Sequence, residues 1–573
     1  MKNIGKIGMS ILLLAATLLG HAACNQNVVT GMGTTAGSTT APPITTAAQT
    51  TILQSKEPRP PMDYIFESAV PKAAKQATTL YLIGEPSNFS DKVTLATLQG
   101  LVANLSEEQI LIQGGAYNNY KDYLTKNWNC TVASKVDGKS VSLSNLLAHY
   151  KDSLSGYILA ADDSASDSGN VAISLAGLLN AVVVTPKNQS LCDELGLTCL
   201  MDTTDKDDAW LRASEYWEQL SRTTAVEQPL NMAPKLVDYA VMSRSYFSFY
   251  NGRNSTEHRQ KYSFLNDNAI VLGYNNTLGE YDTVLSFSAD NIQMIPADHA
   301  YNLSTLSGFK TSILDQKTAT VVGERPEKVH TVCIILSDGD NVQWLTNDFT
   351  TSNKWWANSN RGKFNMGWGL PATAIDLVPP MASYLYDTMS TRDEFVMQLS
   401  GLGYTFPSRW STAARQQMAV KLSEYMERSD LHYAEILDDN GLNERTISAF
   451  TAQDGIDGLF YIDYSNYAGK AGQILWTNNK PTVAARYRLW ANTSDGSIEA
   501  ISRAVNRAST DPTKAASYSF IIVHAWSGMN GSELAESGNT MDAVAKLVKS
   551  FDDNVEVVTP SEFMHRIITN QAK

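Results

Sequence analysis

Short β-branched runs alternate with helical patterns along most of this chain. Thr78 to Ile83, Gln109 to Ile112, Gly156 to Ala160 and Ala181 to Val184 read as strands, while Lys92 to Leu105 and Asn170 to Leu179 carry helical apolar spacing. The alternation predicts an α/β domain over residues 61–228. A second, smaller α/β unit is predicted over 229–325, with strands at Ala269 to Leu272 and Ile292 to Ile295. From 326 to 573 eight apolar runs recur: His330 to Leu336, Asn365 to Gly369, Phe395 to Ser400, His432 to Leu437, Gly458 to Ile462, Pro481 to Arg486, Tyr518 to Val523 and Val555 to Val558. Their starts lie 23 to 37 residues apart, close to the ~30 residues of a strand and its return helix. Eight such units predict a TIM-like (β/α)8 barrel, with an irregular seven-stranded variant as the rival because the Pro481 run is weakly patterned.

The first apolar run has a different meaning. Lys2 and Lys6 precede Ile7 to Gly20, which is short for a membrane span and has the layout of a signal peptide over residues 1–23. It ends in His21-Ala22-Ala23-Cys24, a lipobox-like site at which Cys24 would be acylated and hold the chain on a membrane surface. Residues 24–60 are Thr, Ala, Gly, Ser and Pro with little apolar bulk, which predicts a flexible tether. Together these features predict an exported, lipid-anchored protein of the bacterial cell envelope.

Composition narrows the partners. Among 573 residues, 59 acidic side chains outnumber 45 basic ones for a net charge of −14, which offers no footprint for nucleic acid. With 43% apolar and 18% charged residues and 5 Cys, the chain is an ordinary folded protein and not a disulfide-stapled scaffold. No Gly-rich phosphate loop follows any strand, and no cofactor is called for.

A barrel places its chemistry at the carboxyl ends of its strands. There the sequence has Ser337-Asp338-Gly339-Asp340-Asn341, then Trp368, Gly401-Leu402-Gly403-Tyr404-Thr405-Phe406-Pro407, Asp438-Asp439, Asp463, Arg486, His524-Ala525-Trp526 and, after the last strand, Glu562. Asp338, Asp340, Asp438 and Asp439 are the candidate catalytic carboxylates. Close pairs raise one pKa and keep an acid protonated near neutrality, as glycoside cleavage requires. Eight of the 11 Trp fall in this region, and flat rings beside carboxylates suit a saccharide. Trp344, Trp368, Gly403, Tyr404, Trp410, Asp463, Arg486, His524, Trp526 and Glu562 are the candidate substrate-binding residues. From the loop Pro296 to Asn302, Asp298 and Asn302 are candidates to reach the same site.

Other chemistries are less complete. Asp338, Asp340 and His524 hint at a metal-dependent carbohydrate deacetylase, but none of the 8 His has a partner three or four residues away, and no metal is called. No Gly-x-Ser-x-Gly elbow supports a serine nucleophile. A non-catalytic glycan-binding surface lipoprotein is the other alternative.

The string Gly401-Leu402-Gly403-Tyr404-Thr405-Phe406-Pro407, with Ser337 to Asn341 and Trp368, resembles the bacterial GxGYxYP family of "putative glycoside hydrolases". The resemblance covers nearly all of the chain after the tether and implies a carbohydrate substrate. Phe406 departs from it by standing where the pattern has Tyr. That loss matters if the hydroxyl touches substrate and is minor if the ring only packs. Barrel glycosidases commonly place the acid after strand four and the nucleophile after strand seven; here strand seven offers His524 instead of a carboxylate. An inverting reaction using Asp338 or Asp340 with Asp438 or Asp439 is therefore the expectation.

Overall fold

Two three-stranded sheets, one four-stranded sheet and two two-stranded pairs precede one large curled sheet in the computed structural model, which describes residues 52–54, 67–114, 117–232, 234–250, 252–310, 313–318, 320–322, 328–490, 494–525 and 539–571. The leader, Cys24 and Trp526 lie outside the described residues. Ile52–Gln54, inside the expected tether, pairs antiparallel with Thr320–Val322.

The strands expected in the first α/β region are present, but they divide between two sheets. Glu108–Gln113, Thr79–Gly84 and Thr131–Ala133 form one parallel sheet, and Ala181–Val184, Gly156–Leu159 and Cys199–Asp202 form another. Ala181–Val184 is buried along its whole length, which is why it reads as an unbroken apolar run. Helix Asp167–Leu179 starts where the Ser166 side chain accepts the Gly169 N–H and stops at Asn180 in the left-handed region. The third sheet orders Tyr246–Phe249, Thr224–Gln228, Ile270–Gly273 and Gln293–Ile295, all parallel. Two of its strands coincide with expectation. Of the other two, Thr224–Gln228 was missed because it carries Glu227 and Gln228 at buried positions, which breaks the apolar signature.

The C-terminal sheet contains every one of the eight expected runs. Its strands are β1 (His330–Leu336), β2 (Met366–Pro371), β3 (Asp393–Gln398), β4 (Tyr433–Asp438), β5 (Gly458–Asp463), β6 (Ile474–Thr477), β7 (Lys480–Ala484), β8 (Tyr487–Leu489), β9 (Tyr518–Val523) and β10 (Val555–Val558). The order is β6-β7-β5-β4-β3-β2-β1-β9-β8, with β10 also on β1. All neighbours are parallel except the β6–β7 hairpin, turned by Asn478 and Asn479 at positive φ.

This is a curled half-barrel sheet and not eight equivalent β/α units. β1 pairs with β9 along one edge from Thr331 to Leu336, while its other edge meets β10 at His330–Cys333 and β2 at Ile335–Leu336. The eighth run therefore wedges between β1 and β2 at their amino ends. The weakly patterned sixth run supplies only β7, which pairs with β5, and β8 directly after it pairs with β9 instead.

Candidate active site

The chain leaving β1 turns sharply into the mouth of the curled sheet. Asp338 takes a left-handed backbone, φ 63°, a conformation costly for a residue with a Cβ and concentrated at functional sites. The turn is held from β3. The Gln398 side chain accepts the Gly339 N–H at 2.8 Å and donates to the Leu336 carbonyl at 3.0 Å. This arrangement needs two glycines: a Cβ on Gly369 would fall 1.8 Å from Gln398 Oε1, and one on Gly339 would fall 2.2 Å from the Gly369 backbone.

Four carboxyl groups converge here. Asp340 is buried beneath the turn; burial, then the charges of Asp338 and Glu280, push its pKa up to about 8. Glu435 is buried on β4, and among the described residues its oxygens have no hydrogen bond of good geometry. Burial raises its pKa well above the usual carboxylate range, with the Gln398 amide beside it opposing the rise and Asp338 and Asp340 adding to it. Glu280 begins the helix Glu280–Ala289 of the preceding module and accepts the Tyr404 hydroxyl at 2.9 Å. Burial raises its pKa as well; the Tyr404 bond opposes the rise and the Asp338 charge adds to it. The Asp338 charge thus acts on all three.

Aromatic rings surround these carboxyls. The hydroxyl of Tyr467 is raised by burial first and then by Asp338, Glu280 and Glu435. His524 stacks on Trp490 at 3.9 Å and 8° between planes, and burial lowers its pKa against the opposing pull of Asp338. Tyr467 packs on the same Trp490. Phe406, fully buried, touches Tyr281, Tyr404 and Tyr464. Its ring packs among three others.

The named motif docks two modules together. Gln293 Oε1 accepts the N–H groups of Leu402 and Gly403, and Tyr404 pairs antiparallel with Met294. A Cβ on Gly403 would lie 2.7 Å from the Met294 carbonyl. Gly403 thus serves close backbone approach between modules.

Asp338, Asp340, Tyr404 and His524 are brought together as the sequence suggested; the remaining candidates have other employment. The Asp438 carboxylate is occupied by the Ser408 hydroxyl and N–H and by the Asp439 N–H, and burial pushes its pKa up to about 6. Asp439 takes a bidentate bond from Arg409 and the Tyr281 hydroxyl at 2.9 Å. It anchors the helix that carries Glu280. Trp344 and Trp368 are core, packed with Phe349, Trp355 and Trp356, and the Trp368 indole donates to Asp393. Trp410 is buried on Thr405. Asp463 caps its own turn through Ser465, and Arg486 satisfies the carbonyls of Gly472, Ala515 and Tyr518. Glu562 pairs with Arg566 one helical turn on. Asn302 clasps the backbone of Ile112 in the first module, and Asp298 is buried beside His299.

Glu280 and Glu435 were not foreseen. An acid within the otherwise apolar run Ala434 to Leu437 was a legible signal for Glu435. Glu280 gave none, because an acid in the first turn of a helix is ordinary. Among the described residues, no three His, Cys, Asp or Glu side chains stand in a metal-holding arrangement.

A mixed α/β protein with a carboxyl cluster at the mouth of a curled sheet is the class these features define. Three stretches match family domains: 154–220 the "GxGYxYP_N second domain", 221–308 the "GxGYxYP third domain" and 328–567 the "GxGYxYP putative glycoside hydrolase C-terminal domain". The chain belongs to the GxGYxYP family. A solved structure described as "a putative hydrolase from Bacteroides thetaiotaomicron VPI-5482" is 27% identical with a TM-score of 0.78, over 90% of this chain and 99% of that one. A 4-alpha-glucanotransferase from Thermococcus litoralis reaches 10% identity and a TM-score of 0.30, over 42% and 40% of the two chains, too remote to bear on the reading. Comparison with curated proteins gave no match.

Proposed function

We propose that the chain is a glycoside hydrolase whose reacting carboxyls are Asp338 and Glu280. The observation that supports this most is the charge arrangement: Asp340 and Glu435 are driven toward the protonated state beneath the turn, with Asp338 the negative charge acting on both. Four close carboxyls cannot all ionise, so the site holds acids and a base side by side at one pH. Asp338 and Glu280 are the two that retain solvent exposure, so they can meet a bound sugar. Asp338 is the base or nucleophile and Glu280 the acid that protonates the leaving oxygen. Asp340, neutral below about pH 8, keeps a second negative charge away from Asp338. Tyr467 and Trp490 offer rings for the sugar faces.

The test is release of new reducing ends from a panel of plant, host and bacterial glycans by the parent, Asp338→Asn and Glu280→Gln. Release by the parent that falls ~10²-fold or more in each variant supports the assignment. Release undiminished in Glu280→Gln removes the acid from the neighbouring module, and no release from any glycan removes the reading. The proposal extends to location: the His21-Ala22-Ala23-Cys24 leader supports a lipid-anchored envelope protein, and Cys24→Ser should then shift it from the membrane to the soluble fraction.

A further inference from the structure

A concave site lies between the loops that follow β3 and β4. It is a cleft of about 370 Å3 lined by Ser408, Arg415, Asn440, Asn443 and Arg445 among other polar residues, a size that admits a monosaccharide. Two helices begin there. Helix Thr412–Arg428 is capped by Ser411 and helix Glu444–Thr451 by Asn443, so the positive ends of both dipoles lie at the cleft. Each first turn also places an arginine on the lining. Helix starts ordinarily favour acids, and Glu444, the acid in the first turn of helix Glu444–Thr451, is exposed and off the lining.

Arg415 is 3% exposed, gives its Nη1 to the carbonyls of Pro407 and Trp410, and has a buried Nε with no hydrogen-bond partner among the described residues. Its nearest charged influences are Arg445, which repels it, and Asp438. That aspartate is already held by Ser408. Arg445 reaches only a hydroxyl, that of Thr412, at 3.1 Å. Two guanidinium groups, one buried and one exposed, line the cleft at two helix starts with no ion pair to a carboxylate among the described residues, in a chain of net charge −14. Burying such a charge unpaired is costly, and a planar oxyanion is the complement of a guanidinium fork.

We infer that this cleft is an oxyanion subsite that holds the carboxylate or sulfate of an acidic sugar. The sugar part of the assignment rests on the glycan reading above; the oxyanion part does not.

Calorimetric titration of the full chain with galacturonate, galactose 6-sulfate and galactose reads binding without turnover. At least one acidic sugar should bind saturably and galactose at least about tenfold more weakly, the size of one charge-assisted hydrogen bond. Preference between the two acids then identifies the carboxylate or the sulfate as the group read. Arg445→Gln, an exposed change, should weaken the acidic sugar at least about tenfold at unchanged Tm, while Asp338→Asn should leave binding intact. Equal binding of galactose and both acids, no binding of any, or undiminished affinity in Arg445→Gln overturns the subsite. Hydrolysis lost in Asp338→Asn with anion binding retained separates this site from the catalytic proposal.

Discussion

Asp338 holds a left-handed backbone next to a carboxyl that its charge helps keep protonated, so geometry and electrostatics meet at one residue. Asparagine tolerates that backbone region, so Asp338→Asn should fold with Tm within a few degrees of the parent and still lose turnover; a large drop in Tm would make the residue structural. Asp340 gives a pH signature of known sign. Its folded pKa is about 8 against ~3.9 in an unfolded chain, so the native state keeps a proton that the unfolded state has released. The stability it contributes is complete below about pH 4 and is lost as pH rises toward 8. The parent Tm should therefore fall between pH 5 and 8, and Asp340→Asn should flatten that fall, as thermal scans at the two pH values will read. A residual slope is expected from Glu394 on β3, which burial pushes up to about 7. At this scale the sequence showed half of the cluster. Aspartates in a turn after a strand are visible in one dimension, whereas Glu280 comes from more than fifty residues upstream.

The elements that build the site are joined by short, close contacts that one added methyl group would disturb. Tyr404 bonds Glu280, Gly403 lies on the Met294 carbonyl, and Tyr281 on the same helix holds Asp439. Replacing Gly403 by Ala brings a Cβ within 2.7 Å of that carbonyl, and overpacking of this kind costs about 1–3 kcal/mol; thermal unfolding should read it as a lowered Tm, and an unchanged Tm would show that the junction yields freely. Tyr404→Phe acts differently, because its hydroxyl bond favours the ionised Glu280. Its removal should shift the Glu280 titration to higher pH, moving the activity profile in the alkaline direction without abolishing turnover. Strand positions were legible because buried parallel strands read as apolar runs. Their assignment to sheets was not, since Thr79–Gly84 and Gly156–Leu159 look alike locally yet join different sheets. Tryptophan misled for a related reason. The rings of Trp344, Trp355 and Trp356 follow β1 in sequence but fold back onto Trp368 of β2 in one aromatic core.

For the molecule as a whole, the consequence is that the site belongs to two modules at once. The curled sheet supplies Asp338, Asp340 and Glu435, while the module before it supplies Glu280 and the strand on which the Gly401 to Tyr404 motif docks. A fragment spanning 326–573 has all the strands of the large sheet but would leave the Tyr404 backbone and the apolar face against Met294 and Ile295 open. It should therefore lack turnover for two separable reasons: a missing acid and a loosened turn. Glu280→Gln in the full chain isolates the first, since it keeps the docking contacts and should retain the parent Tm while losing activity. If the fragment hydrolyses a glycan that the full chain hydrolyses, at a comparable rate, then Glu280 takes no part and the acid must be sought among Asp340 and Glu435. If the fragment is inactive and Glu280→Gln is active, docking alone accounts for the need for the second module. Loss in both, with an intact Tm in the substituted full chain, is the outcome the shared site predicts.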